Sequence, residues 1–259
     1  MNTQPIRCLD LNADLGESFG VYTLGDDDSL LRSVTSANIA CGFHAGDPGT
    51  MAQAVESAVA HNVALGAHPG LPDLAGFGRR CMAMTPPEVR DLVTYQIGAL
   101  AGFAARQGQT LRHVKPHGAL YAMAEDDDAI AEAIALAVRE WDTKLILFGL
   151  SGGSLVKAGK ALGLQTASEI FADRAYYSNG TLAPRSEPNA VLHDLEEVAA
   201  RMSLWAREGR LTATDGTVIT LDADTVCLHG DSPNASALAA RVRQVLEAEG
   251  IMVQAPKPS

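Results

Sequence analysis

Short apolar runs alternate with longer amphipathic stretches along the whole chain. Residues 6–12, 35–40, 63–67, 111–115, 144–149, 164–168 and 225–229 predict strands. Between them, 49–61, 86–107, 126–140, 189–208 and 233–249 carry apolar residues at the 3.6-residue period of a helix. Thr85-Pro86-Pro87-Glu88 reads as a helix start, with a threonine cap, proline in the first turn and glutamate at the third position. The last helix opens on Asp231-Ser232-Pro233. Strands that alternate with helices lie parallel, each helix crossing back over the sheet. About seven such units without a charged or Pro/Ser-rich linker fit one closed barrel domain over 1–259 better than an open doubly wound sheet. Asp215-Gly216, between the β-rich halves of 210–221, predicts a small inserted hairpin.

Composition adds exclusions. The 259 residues are 47% hydrophobic and 20% charged, enough to bury a sizeable core. A net charge of −11 argues against a general nucleic-acid or anionic-membrane surface, while leaving room for a local basic pocket. The N-terminus lacks the basic and apolar regions of a signal peptide, and no window approaches the roughly 18 apolar residues of a membrane span. Cys8, Cys41, Cys81 and Cys227 show no CxxC spacing, so reduced thiols are expected in place of a zinc-thiolate site or disulfides. The expectation is a soluble, cytoplasmic protein.

The chemistry gathers at the predicted strand ends, where a β/α barrel carries its site. Side chains alternate faces along a strand, so Asp10, Asn12 and Asp14 share one face while Leu9 and Leu11 take the helix-facing side. His44 follows the second strand among glycines and small residues, and Asp47-Pro48 reads as a helix cap. His68-Pro69-Gly70 ends the third strand; of Arg79 and Arg80 beyond it, one is expected to pair with a surface acid. His113, Lys115 and His117 share parity, and a lysine facing a barrel interior needs a partner, here Asp10, Asp14 or a bound anion. His229 and Asp231 end the last strand, with Asp231 also a candidate helix cap. Ser168, Glu169, Asp173 and Arg174 cluster after the sixth, where Asp173 and Arg174 read most simply as a surface pair. The glycine-rich turn 149–154 leads into a helix and is a weak candidate for anion binding, matching neither the Walker nor the dinucleotide spacing. His61 and His193 read as surface residues. Histidines 44, 68, 113, 117 and 229 beside carboxylates suit a divalent-metal hydrolase, but no HExxH or HxH occurs. Asp14, His44 and His68 form a candidate metal set, and metal and metal-free readings both stand.

The words DLNADLGE (10–17), NIACGFHAGDP (38–48), GAHPGLPDLAGFGRR (66–80), VKPHGALY (114–121), EIFADRAY (169–176) and CLHGD (227–231) resemble the LamB/YcsF family, in family order and over nearly the whole chain. The resemblance implies a seven-stranded β/α barrel of the glycoside hydrolase/deacetylase type. It further implies the role of the A subunit in a prokaryotic 5-oxoprolinase, working with subunits B and C. Such a complex converts 5-oxo-L-proline, ATP (with Mg as its usual companion) and water to L-glutamate, ADP and phosphate. Joined to the residues, it makes Asp14 or His44 the candidate base and Lys115 and His117 candidates for stabilising negative charge. Arg79 or Arg174 is the candidate clamp for the substrate carboxylate, with Asn12, His68, Glu169 and His229 as further substrate contacts. Two rivals remain: a metal-dependent deacetylase-like hydrolase working alone on a carbohydrate or other small amide, and a non-catalytic regulatory component on a retained barrel.

Overall fold

The computed structural model describes residues 7–230 and 234–257. In chain order the elements are β1 (Cys8–Leu15), α1 (Asp27–Leu31), β2 (Ser36–Ala40), α2 (Pro48–Ala60), β3 (Ala64–His68), α3 (Pro86–Arg106), β4 (His113–Val114), α4 (Gly118–Asp126), α5 (Asp128–Trp141) and β5 (Ile146–Leu150). There follow α6 (Ser154–Ala161), β6 (Thr166–Phe171), α7 (Leu195–Glu208), β7 (Arg210–Thr212), β8 (Val218–Thr220), β9 (Thr225–Leu228), α8 (Ala235–Ala248) and β10 (Met252–Val253).

Seven parallel strands close on themselves in the order β1-β2-β3-β4-β5-β6-β9, with β9 returning to β1 through the register Asp10↔Thr225 to Ala13↔Leu228. The expected closed barrel is therefore present, and the open-sheet alternative is overturned by that last pairing. Short β10 extends the sheet beside the start of β1. The hairpin expected at 210–221 is β7 paired antiparallel with β8. Leu9, Leu11, Ala13 and Leu15 bury outward in the main core between strands and helices. Ile146, Phe148 and Ala167 form a separate apolar cluster.

Local chemistry explains the boundaries. The Asp47 carboxylate accepts from Thr50 N and caps α2 as expected. Glu88 accepts from Thr85 N at the start of α3. The helix expected over 126–140 is α5, which starts at Asp128 because Asp127 leaves the helical conformation and caps it through Ala129 N, while α4 before it is a helix that the apolar period did not predict. The helix expected from 189 begins only at Leu195, where Asp194 accepts from Glu197 N. The capping expectation for Asp231 lies outside the described residues. The four cysteines form no disulfide, and among the described residues no helix is long and apolar enough to cross a membrane.

Candidate active site at the mouth of the barrel

The alternation of β1 points Asp10, Asn12 and Asp14 into the barrel, all buried. Asp10 sits lowest, accepting from the hydroxyls of Thr35, Ser36 and Thr225. Burial raises its pKa to about 6, against the pull of those hydroxyls. One layer up, Asn12 donates to Glu169 Oε1 and Thr225 Oγ1, and Asn38 donates to Asn12 Oδ1 and Asp14 Oδ1. His113 lies behind Asn38, its Nε2 at 2.8 Å from Asn38 Oδ1 and its ring stacked on Phe148. Burial pushes the His113 pKa down to about 3, so the ring is neutral. Only glycine fits opposite: a Cβ on Gly66 would lie 2.0 Å from the His113 ring.

Lys115 is fully enclosed by this network. Its ammonium lies 3.1 Å from Asp14 Oδ1, 3.1 Å from Glu169 Oε1, 3.2 Å from Asn12 Oδ1 and 2.8 Å from Cys227 Sγ. The partner is thus Asp14 together with Glu169, and Asp10 is not one. Burial opposes the charge, but Asp14, Cys227 and Glu169 outweigh it and hold the lysine well above its ordinary pKa. Burial likewise works against an ionised Asp14, and here the neighbouring His68 and the Lys115 ammonium win, holding it well below the carboxylate range. Three ammonium protons facing four acceptors leave Lys115 saturated. Tyr121 donates to Glu169 Oε2 and closes the network.

A second cluster sits beside Asp14. His44 and His117 stack face to face, with centroids 3.7 Å apart, and both meet His68 edge-on. His68 Nδ1 lies 2.7 Å from the Lys115 carbonyl, His117 Nε2 lies 2.8 Å from the Phe77 carbonyl, and His117 Nδ1 meets His68 Nε2 at 3.0 Å. Glu17 Oε1 stands 3.4 Å from His44 Nε2 and 3.7 Å from His117 Nδ1. Burial, and the proximity of the other histidines, hold His44 and His117 well below the ordinary histidine pKa. His117 reaches this cluster as the N-cap residue of α4, beyond the end of β4.

Across the mouth, His229 Nδ1 lies 2.9 Å from the buried Asp173 carboxylate. Burial would raise the Asp173 pKa, but His229 outweighs it and the acid is held low. The simple reading of Asp173 and Arg174 as a surface pair is corrected: Asp173 serves His229, and Arg174 donates to the carbonyls of Ala190 and Ala183 within the loop before α7. Arg80 pairs with Asp73, and Arg79 lies exposed with its guanidinium over Phe77. The glycine-rich turn before α6 holds an internal anion, the Glu125 carboxylate, which accepts from Ser154 N at 2.9 Å. His61 caps the end of α2 through Ser57 O, and His193 is exposed.

The chain matches the LamB/YcsF family over residues 9–259. It belongs to that family. Its relatives include the 5-oxoprolinase A subunit of Methylococcus capsulatus, 59% identical over 96% of each chain. The 5-oxoprolinase A subunit of Bordetella pertussis is 55% identical over 95% of this chain and 98% of its own length. A crystal structure of a lactam utilization protein from Thermus thermophilus is 48% identical, with a TM-score of 0.91, over 96% of this chain and 100% of that one.

Within this LamB/YcsF chain, strand parity reached the residues on straight strand. It missed Glu17, brought back to the mouth by the turn at Gly16 with its φ of +67°. It missed Asp173 as the partner of His229. The register Phe171↔Cys227 places the two in line one step further on, a signal that needs the β6–β9 pairing to be known. Cys227 shares parity with His229, but a lone cysteine gives no hint that it meets an ammonium.

Proposed function

We propose that this chain is the A subunit of an ATP-dependent 5-oxoprolinase, and that the mouth of its barrel opens the lactam ring of 5-oxo-L-proline. The observation that carries this reading is the pairing of an ionised Asp14 with a carboxylate-held His229 at one mouth, in a chain 55–59% identical to proteins named as 5-oxoprolinase A subunits.

Amide resonance makes the lactam carbonyl a poor electrophile. Transfer of the γ-phosphoryl group of ATP to the lactam oxygen removes that resonance and releases ADP. Water then adds to the same carbon, giving its proton to Asp14. A carboxylate held that low is a weak base, and it suffices because the phosphorylated ring is already electrophilic. The ring C–N bond breaks as His229, oriented by Asp173, protonates the departing nitrogen. The product is an acyl phosphate of glutamate, which a second water cleaves to L-glutamate and phosphate. Two waters are therefore consumed, one for the lactam and one for the phosphate.

Lys115 keeps Asp14 ionised and supplies positive field for the oxygen that gains charge; His117, neutral in its buried cluster, adds no charge of its own. Arg79, exposed at the rim, receives the substrate carboxylate. Asn12, His68 and Glu169 fix the ring, and Arg174 braces the loop that carries Asp173. We assign ATP with its Mg to subunits B and C, since the glycine-rich helix start of this chain is held by Glu125. The cytoplasm is the compartment that supplies ATP.

The test is release of ADP and glutamate from 5-oxoproline by the purified chain, alone and with subunits B and C. Turnover dependent on both ATP and the partners is the expected result. Amide hydrolysis by the chain alone without ATP would overturn the proposal in favour of the deacetylase-like reading.

A further inference from the structure

We propose that Glu17, His44, His68 and His117 bind one divalent transition-metal ion of the zinc, cobalt or nickel class. The argument begins with tautomers. A carbonyl oxygen only accepts, so His68 Nδ1 facing the Lys115 carbonyl and His117 Nε2 facing the Phe77 carbonyl must both be N–H. In neutral rings this leaves His68 Nε2 and His117 Nδ1 as bare lone pairs, and these face each other at 3.0 Å. Two acceptors at that distance repel unless a cation or an extra proton lies against them.

The surroundings favour the cation. Two nitrogens each about 2.1 Å from one ion, at a right-angled or tetrahedral opening, lie roughly 3.0–3.4 Å apart. The two histidines therefore already stand at the spacing of neighbouring ligands. His44 is completely buried, and neither of its ring nitrogens makes a hydrogen bond, an arrangement that is unfavourable without a ligand. Its Nε2 and Glu17 Oε1 join the same cluster, and one ligand atom from each of the four residues lies within 4.8 Å of every other. Ring nitrogens anchored on backbone carbonyls are the usual outer support of metal-binding histidines. Three imidazoles and one carboxylate suit a transition ion and disfavour Mg or Ca.

The set departs from the Asp14, His44, His68 combination considered from sequence. Asp14 Oδ1 is engaged by Asn38 and Lys115, and Glu17 and His117 complete the group in its place. The nearby trio Asp14, Cys227 and His229 has ligand-like spacing too, but the Lys115 ammonium already sits against it, 2.8 Å from Cys227 Sγ. The inference holds whatever amide the mouth opens.

The test is a metal count and a Co(II) titration on tag-free protein stripped with chelator. One ion per chain is expected, with visible d–d absorption on Co(II) addition and a raised Tm with Zn(II). His44→Ala and Glu17→Gln should each weaken Co(II) binding at least tenfold, while His229→Gln retains it. If His44→Ala fails to fold, the wild-type stoichiometry and spectrum decide. Wild-type protein that takes up no Co(II) or Zn(II) would overturn the proposal, as would variants that bind them as tightly as wild type.

Discussion

Removing the Lys115 ammonium leaves Asp14 and Glu169, both buried and each within 3.1 Å of it, without a counter-charge. Breaking a buried pair from one side costs about 3–5 kcal/mol. Lys115→Met should therefore lower the unfolding free energy by about that much in urea titration; a loss under about 1 kcal/mol would show that the carboxylates do not depend on it. Asp10 carries a pH signature. Its pKa is about 6 in the fold, against an ordinary carboxylate in the unfolded chain. The folded state thus holds a proton that the unfolded chain has released, so Asp10 favours folding below about pH 4 and loses that contribution as pH rises through about 6. The two or so pH units correspond to about 3 kcal/mol. Stability of wild type relative to Asp10→Asn should fall by about that amount between pH 4 and 6.5, and a flat difference would contradict the buried-acid assignment. Asp173→Asn leaves His229 without its charged orienter. It should lower kcat on the order of 10²-fold while the variant still folds, with a cooperative melting curve.

At the scale of elements, the barrel was legible in sequence because its strands are short apolar runs and its helices keep a 3.6 period. Parity then placed Asp10, Asn12, Asp14 and Lys115 inside, since β1 is regular along its length and Lys115 directly follows β4. The method stops where the strand stops. Glu17 and Asp173 lie past strand ends, where turn geometry decides direction, whereas His117 and His229, also past their strands, keep the inward parity. Helix α4 escaped the pattern because it is only nine residues long and abuts α5 at Asp127. The glycine-rich turn before α6, a weak candidate for anion binding, is occupied by the protein's own Glu125 carboxylate. Glu125→Ala should destabilise the fold by about 1 kcal/mol as α6 loses its N-terminal acceptor. Gly66→Ala is the sharper element-level test. Its Cβ meets the His113 ring, which has the Asn38 contact in front and Phe148 against its face. A loss of about 1–3 kcal/mol is expected in denaturant titration, and a neutral change would show that the ring moves freely.

For the whole molecule, closure of seven strands brings residues from positions 10 to 229 to one mouth, where an ionised acid, a saturated ammonium and a carboxylate-held histidine share a water-poor space. Family words in the sequence supplied the substrate class, which no periodicity contains, and the barrel supplied the arrangement. The most direct measurement of the account is glutamate and ADP release from 5-oxoproline by the chain assembled with its partner subunits, comparing wild type with Asp14→Asn. The prediction is one glutamate per ADP for wild type, and a fall in glutamate of at least about 10²-fold for the variant with its fold and assembly intact. Glutamate release at the wild-type rate by the variant would contradict the assignment of ring opening to this mouth.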